Sequence, residues 1–159
     1  MNLIKLAVQF LPAKPVFAHC DIPCGIYDPY PAQLAAHTII RMTKMIEDLG
    51  LQNTVFIHGE GKGTPFKEVL EYYKVADVFV FPGIETGVGD VDGVPTVCIE
   101  AAMAKLPIIS TNAGSITDLV EDGITGLIVE QRNHQAIANA VQNLLSDKEL
   151  ADKLSQTAY

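Results

Sequence analysis

The sequence predicts an α/β fold in which a parallel sheet is covered by crossover helices. From residue 53 onward, short runs rich in β-branched and aromatic residues alternate with longer runs of helical spacing, and the short runs are TVFIHG, DVFVFP, PIIST and GLIV. Hydrophobic residues make up 48% of the 159 residues, which is enough for one buried core and argues against a disordered chain. A loop and one amphipathic helix precede this part of the chain.

The first 18 residues, MNLIKLAVQFLPAKPVFA, contain one short apolar run. Gln9 interrupts this run and Pro12 ends it, so it matches the hydrophobic region of a secretory signal poorly and is too short to span a bilayer. We therefore expect no membrane span in this segment.

The segment PAQLAAHTIIRMTKMIEDLG predicts one amphipathic helix of about five turns. The residues that recur on one face of this helix are Leu34, Thr38, Met42, Met45 and Leu49. Asp28 and Pro31 are start signals for the helix, and Gly50 is a stop signal.

Two later helices also carry start signals. Thr64 and Pro65 begin one of them, and Ser146 with Glu149 predicts a capping box at the start of the last helix. No internal repeat or low-complexity tract occurs in the sequence, so the shift in composition at residues 48–53 is the boundary that the sequence predicts.

The net charge limits the classes of binding partner, and the cysteines indicate the cellular compartment. The formal net charge is −8, so the chain offers no basic surface to nucleic acid or to anionic lipid. Of the three cysteines, Cys20 and Cys24 are close together, and Cys98 stands alone in an apolar stretch where we expect a small core residue. This is not the even-numbered framework of a secreted disulfide scaffold, and we expect a reducing, cytoplasmic compartment.

The stretch AHCDIPCGIYDP, residues 18–29, concentrates metal-ligating residue types in one short loop. Cys20 and Cys24 can present two thiolates to a soft metal ion, and His19 adds an imidazole. A cut before His19 would add its free α-amine and the backbone amide of Cys20, giving a square-planar set with an axial imidazole. This geometry suits divalent nickel or copper, whereas zinc prefers a tetrahedral set. For the bare spacing, the alternatives are a fortuitous pair, a labile disulfide or an adventitious metal site.

The string HCDIPCGIYDP and the following PAQLAAHTIIRM resemble the nickel hook and first helix of nickel superoxide dismutases. In that family a leader is removed so that the histidine becomes the first residue, which implies a cut between Ala18 and His19. The resemblance implies that His19 supplies amine and imidazole, Cys20 supplies amide and thiolate, and Cys24 supplies the second thiolate to nickel. It places the phenol of Tyr27 near the open face of the metal, as the catalytic residue.

Members of that family are all-α, with a four-helix bundle assembled into a hexamer. This chain carries the hook and the first helix of that architecture, to about residue 48. Because the hook in the family is shielded by helices of its own and of neighbouring subunits, we expect metal thiolates here to be more exposed to oxidation and exchange.

Further along, VDGVPTVCIEAAMAKLPIIST and EDGITGLIV resemble the carboxy-terminal half of retaining glycosyltransferases of the GT-B type, which have two Rossmann-like domains. The resemblance covers about residues 53–158. It implies that Glu100 binds the ribose hydroxyls of a nucleotide sugar, and that Asp92, eight positions earlier, contacts the donor sugar in place of the glutamate that is usual in the family. The alternatives are that Asp92 is a turn residue and that Glu100 lies on a solvated helix face.

The residues between these two acids fit a phosphate site. Pro95 favours the start of a helix, whose unpaired amides at Thr96 and Val97 would face the diphosphate, and Gly93 would permit close approach of the backbone. Ligands of such sheets lie beyond the carboxyl ends of the strands.

The resemblance to the transferases begins at the unit that corresponds to their third strand. A full domain of this type orders its strands 3-2-1-4-5-6, so the first two strands are not expected here. The TVFIHG strand would then lack the neighbours that separate it from DVFVFP, and exposed strand edges invite self-association. The family's basic residues for the diphosphate and its acceptor-binding domain have no counterpart, so we do not expect this chain alone to catalyse glycosyl transfer.

The sequence therefore predicts three segments: residues 1–18 as a leader for a processing protease, residues 19–50 as the nickel-hook loop and helix, and residues 51–159 as a partial, truncated Rossmann-like domain. The favoured function is a glycosyltransferase-related fragment that binds a nucleotide diphosphate sugar and carries a nickel-binding hook. The alternatives are a nickel-dependent superoxide dismutase, which converts superoxide to oxygen and hydrogen peroxide, and a non-functional chimera.

Overall fold

The computed structural model describes residues 16–19, 32–58, 65–85 and 94–159. Strands and helices alternate along these residues, as the sequence predicts. The elements are β1 (Val16–His19), α1 (Ala32–Asp48), β2 (Val55–His58), α2 (Phe66–Val75), β3 (Phe79–Phe81), α3 (Thr96–Met103), β4 (Ile108–Thr111), a 3-10 helix (Gly114–Asp118), β5 (Leu127–Val129), α4 (His134–Ser146) and α5 (Lys148–Ala158). None of the helices in this described part is long and apolar enough to cross a membrane.

The chain forms two compact units, of which the larger holds residues 71–159 and the smaller holds the described residues up to 70. In the smaller unit, β1 and β2 pair in parallel, from Val16 opposite Val55 to His19 opposite His58. Helix α1 contacts β2. The TVFIHG strand, which was expected to lack the neighbours that separate it from DVFVFP, thus has one described parallel partner, formed by Val16 to Ala18 of the predicted leader and by His19.

Helix α1 ends where the sequence predicts. Gly50 has a φ of +67°, in the left-handed region that glycine adopts at little cost. The amide of Leu51 donates to the carbonyl of Ile46 at 2.9 Å, as in a helix end based on a left-handed residue. The buried side chains of Ile46 and Val55 pack this end of the smaller unit.

The larger unit is built on a three-stranded parallel sheet with the order β3-β4-β5. All four residues of the central strand β4 are buried, which explains why PIIST is a continuous run without polar alternation. The hydroxyl of Ser110 donates to the carbonyl of Phe81, the last residue of β3, at 2.9 Å. The hydroxyl of Thr111 donates to the carbonyl of Gly83, just after β3, at 2.6 Å. The buried polar side chains of β4 are thus satisfied by the neighbouring strand.

The core of this unit lies between the sheet and the last two helices. Ile109 of β4 packs with Leu144 of α4 and Leu154 of α5, all at most 2% exposed. The partly buried residues around them are Val78, Val80, Leu127, Val129, Val141, Leu150 and Ala151. Strand β5 approaches β4 closely at Gly126, where an added Cβ would lie 2.7 Å from the carbonyl oxygen of Ile108.

The start of the last helix differs from the prediction. The N-cap of α5 is Asp147, whose carboxylate accepts a hydrogen bond from the amide of Leu150 at 2.9 Å. Ser146 instead closes α4, where its hydroxyl donates to the carbonyl of Asn143. The predicted capping box was therefore wrong by one residue. Both side chains are good caps, and Ser146 is used by the preceding helix.

Candidate functional site

The three strands of the larger unit run in the same direction, so the segments that follow them lie at the same edge of the sheet. These segments are residues 82–85 after β3, 112–114 after β4 and 130–133 after β5. Ligands of open α/β sheets bind outside this carboxyl edge. The candidate site is therefore built from these segments and from the start of α3.

A network of hydrogen bonds joins the three segments. The amide of Glu85 donates to Oε1 of Gln131 at 2.9 Å, and Nε2 of Gln131 lies 3.4 Å from the carbonyl of Asn112. The amide of Gly114 donates to Oε1 of Glu85 at 3.1 Å. Neither Glu85 nor Gln131 belongs to a recognisable motif, and the only local signal for either residue is its position after a predicted strand.

Helix α3 begins at Thr96, as the sequence predicts, and its N-cap is Pro95 in extended conformation, with a φ of −62° and a ψ of 126°. Proline supplies no side chain that could cap the helix, and the amide of Cys98 donates to the carbonyl of Pro95 at 3.0 Å. Among the described residues, no group accepts a hydrogen bond from the amides of Thr96 and Val97. Unpaired amides at a helix start, aided by the helix dipole, favour a bound anion.

Glu100 lies one turn further along α3 and is half-buried. Its Oε2 accepts a hydrogen bond from the hydroxyl of Tyr73, 3.1 Å away in α2. Tyr73 is 7% exposed, and its ring contacts Phe79 of β3 edge to face, with 6.0 Å between the ring centroids. Glu100 therefore lies on a partly buried, hydrogen-bonded face of α3.

Cys98 lies two positions before Glu100 and therefore on the opposite side of α3. It is 0% exposed. Burial raises the pKa of its thiol from 9.0 to about 12, because the thiolate would lose its hydration. The prediction that Cys98 is a core residue is confirmed.

Several predicted site residues lie outside the described residues. They are Asp92 and Gly93 of the donor site, and Cys20, Cys24 and Tyr27 of the metal loop. His19, by contrast, is the last residue of β1. Within the part of the chain that the structure describes, no group of three His, Cys, Asp or Glu side chains is placed to hold a metal ion.

Two protein families match the chain. The family "Glycosyl transferases group 1" matches residues 40–159. The family "Nickel-containing superoxide dismutase" matches residues 14–60. The two matches overlap in the second half of α1 and in β2.

Curated relatives of the chain are bacterial glycosyltransferases. The GDP-mannose-dependent alpha-(1-6)-phosphatidylinositol monomannoside mannosyltransferase of Mycobacterium tuberculosis is 34% identical over 111 residues, which are 69% of this chain and 28% of the relative. The capsular polysaccharide biosynthesis glycosyltransferase CapM of Staphylococcus aureus is 35% identical over 85 residues, which are 54% of this chain and 21% of the relative. The chain thus spans less than a third of the length of these relatives.

Solved structures of glycosyltransferases share the fold. Anabaena Alr3699/HepE in complex with UDP and glucose has a TM-score of 0.76 at 18% identity, over 98% of this chain and 37% of that chain. The C-terminal domain of the glycosyl transferase group 1 family protein LpcC from Francisella tularensis has a TM-score of 0.66 at 24% identity, over 82% of this chain and 62% of that chain. The predicted α/β fold with a parallel, Rossmann-like sheet is confirmed.

Proposed function

The chain belongs to the glycosyl transferases of group 1, and from this membership we propose that it binds a nucleoside diphosphate sugar at the start of α3. Glu100 accepts hydrogen bonds from the ribose hydroxyls, and the amides of Thr96 and Val97 bind the diphosphate. Asp92 contacts the sugar, and Gly93 allows the ligand to approach the backbone. The observation that carries this proposal is the position of the half-buried, hydrogen-bonded Glu100 in the helix whose first amides have no described acceptor.

The spacing along α3 supports this assignment. Glu100 lies four residues after Thr96, which corresponds to about 6 Å along a helix axis. A nucleoside diphosphate has a similar separation between its ribose hydroxyls and its phosphates. The net charge of −8 disfavours an anionic ligand at long range, so the helix amides must provide the local attraction.

The proposal concerns binding and not transfer to an acceptor. The chain covers 28% of the Mycobacterium tuberculosis mannosyltransferase, so the activity of the complete enzyme is not assigned to this chain alone. Among the relatives and neighbours, the mannosyltransferase is named as dependent on GDP-mannose, and HepE is in complex with UDP and glucose. GDP-mannose and UDP-glucose are therefore the two ligands to test first.

Isothermal titration calorimetry with GDP-mannose and UDP-glucose tests the proposal. We expect weak binding of one of them, and we expect Glu100→Ala to weaken it by about 1.5 to 3 kcal/mol through loss of a charge-assisted hydrogen bond. Glu149→Ala, which removes an exposed glutamate from α5, is the matched control and should leave the affinity unchanged. Equal affinity of wild type and Glu100→Ala would remove Glu100 from the site. No binding of either ligand would favour the non-functional chimera.

A second candidate function is nickel binding, and the match of the nickel-containing superoxide dismutase family to residues 14–60 supports it. In the uncut chain, His19 is the last residue of β1 and is joined to Ala18, so its nitrogen is a peptide amide and cannot serve as the implied amine ligand. The uncut chain therefore does not fit the implied ligand set. We propose nickel binding by His19, Cys20 and Cys24, with Tyr27 at the open face, only for a chain that begins at His19.

Nickel titration of the uncut chain and of a chain beginning at His19, under reducing conditions, separates the two cases. Thiolate-to-metal charge-transfer absorption should appear in the chain that begins at His19, and it should weaken as the pH falls because the ligands must lose protons. Equal binding by both chains would contradict the amine ligand. A Cys24→Ser chain with the same spectrum would exclude the second thiolate.

We also propose a cytoplasmic location, processing by a leader protease, and self-association. The odd number of cysteines in the chain supports a reducing compartment. Mass spectrometry of the protein purified from its native cells tests the processing, and sedimentation of the purified chain tests the self-association.

A further inference from the structure

The hydroxyl of Tyr73 reaches from α2 to the first turns of α3. The ring of Tyr73 is fixed on one side by its edge-to-face contact with Phe79, and the residue is 7% exposed. A buried tyrosine hydroxyl requires a hydrogen-bond partner. Among the described residues, two acceptors are within range, Oε2 of Glu100 at 3.1 Å and the carbonyl oxygen of Val97 at 3.4 Å.

The carboxylate is the acceptor that the geometry favours. A hydroxyl has a single proton, so it can make one strong donation. The distance to Glu100 is the shorter of the two, and a hydrogen bond to a charged acceptor is stronger than one to a neutral carbonyl. The Tyr73 hydroxyl therefore anchors the Glu100 side chain across 27 positions of sequence.

This anchor leaves most acceptor positions of the carboxylate for a ligand. An ionised carboxylate has two oxygens and about four acceptor positions. Tyr73 occupies one position on Oε2, and no other described residue hydrogen-bonds to the Glu100 side chain. A long glutamate side chain that is already ordered loses less conformational entropy when a ligand binds.

We propose that Tyr73 is a positioning residue of the donor site, which holds the Glu100 carboxylate in the orientation that accepts the ribose hydroxyls. This inference rests on the proposed binding of a nucleotide sugar through Glu100. It assigns a role to a residue outside the motif that carries the family resemblance. If the role of Tyr73 were purely structural, its hydroxyl would join α2 to α3 and would not affect the binding of the ribose.

A double-mutant cycle tests the proposal, with Tyr73→Phe, Glu100→Ala and the double variant titrated with GDP and with UDP. Tyr73→Phe removes the hydroxyl and keeps the ring against Phe79. We expect it to weaken nucleotide binding about fivefold to tenfold when Glu100 is present, and to have no effect in the Glu100→Ala background. Tyr159→Phe, which removes the hydroxyl of a tyrosine that is 72% exposed, is the matched control and should bind as wild type does.

A ligand without ribose hydroxyls gives a second test, because it separates a positioning role of Tyr73 from a purely structural one. With a 2′,3′-dideoxynucleoside diphosphate, which lacks the ribose hydroxyls, wild type and Tyr73→Phe should bind with equal affinity. If Tyr73→Phe weakens GDP or UDP binding equally in both Glu100 backgrounds, or weakens dideoxy binding as much as ribose binding, the positioning role is overturned while the proposed function stands.

The remaining outcomes are also decisive. Absence of GDP, UDP and nucleotide-sugar binding by wild type overturns the proposed function and this inference together. If Tyr73→Phe does not fold, as judged by circular dichroism, a structure of the wild-type chain with bound nucleotide replaces the cycle. A Tyr73 hydroxyl within 3.5 Å of Glu100, with Glu100 on the ribose, supports the proposal, and a longer separation overturns it.

Discussion

The carboxylate of Glu85 accepts a hydrogen bond from the amide of Gly114 at 3.1 Å, which joins the segment after β3 to the segment after β4. Glu85→Ala removes this acceptor and should lower the free energy of unfolding by about 0.5 to 1 kcal/mol, a modest effect because Glu85 is exposed. Glu85→Gln keeps an oxygen at the same position and should recover most of the loss. Urea unfolding measures both variants, and equal stability of Glu85→Ala and wild type would contradict a contribution from this bond.

Elements that depend on local signals could be predicted from the sequence. Each of the four β-rich runs contains a strand, because β-branched and aromatic residues favour an extended, pleated backbone. Helix α1 ends beside Gly50, because a left-handed helix end favours glycine. Helix α3 starts at Thr96, directly after Pro95, because proline favours a helix start.

Contacts between distant segments could not be predicted. Glu85 and Gln131 are 46 positions apart and meet only because parallel strands end at one edge of the sheet. The bond from Tyr73 to Glu100 depends on how α2 and α3 lie in the folded unit, and no sequence pattern encodes it. Strand β1 spans the end of the predicted leader and the first residue of the predicted metal loop, and it is defined by its pairing with β2.

The cap of the last helix gives a prediction that separates two adjacent residues. Asp147→Ala leaves the amide of Leu150 without its acceptor and should lower the free energy of unfolding by about 1 kcal/mol. Ser146→Ala removes a hydroxyl that donates to the carbonyl of Asn143 on an exposed surface, and should change stability by less than about 0.5 kcal/mol. Thermal unfolding of both variants distinguishes them, and a larger effect at Ser146 would restore the capping box.

The buried thiol of Cys98 predicts a loss of stability at high pH. Its pKa is about 12 in the folded chain and near 9.0 when unfolded, so the folded state retains the proton over this range. Between pH 9 and 12 the unfolded state binds fewer protons, and the free energy of unfolding should fall by up to about 1.4 kcal/mol per pH unit from this group. Urea unfolding at several pH values, compared with Cys98→Ala, isolates the contribution, and parallel curves for the two chains would contradict it.

The same thiol should react slowly with alkylating reagents. Only the thiolate is nucleophilic, and burial both raises the pKa of this thiol to about 12 and keeps its sulfur out of contact with reagents in solution. In a Cys20→Ser, Cys24→Ser background, native Cys98 should therefore be modified at pH 8 only as fast as the chain unfolds. Rapid labelling without unfolding would show that the thiol is accessible.

A chain that begins at His19 should have a less stable β2 than the uncut chain. Such a chain lacks Val16 to Ala18, which are three of the four residues that pair with β2. Because β2 then loses its partner, its amides from Val55 to His58 should exchange with deuterium faster, while the amides of the central strand β4 should keep their protection. Hydrogen exchange followed by mass spectrometry compares the two chains segment by segment.

The amine that nickel binding requires exists only after the cut, and β1 is intact only before it, so the nickel-binding chain should be the one with the less protected β2. Unchanged exchange in β2 after the cut would show that β1 does not stabilise the smaller unit.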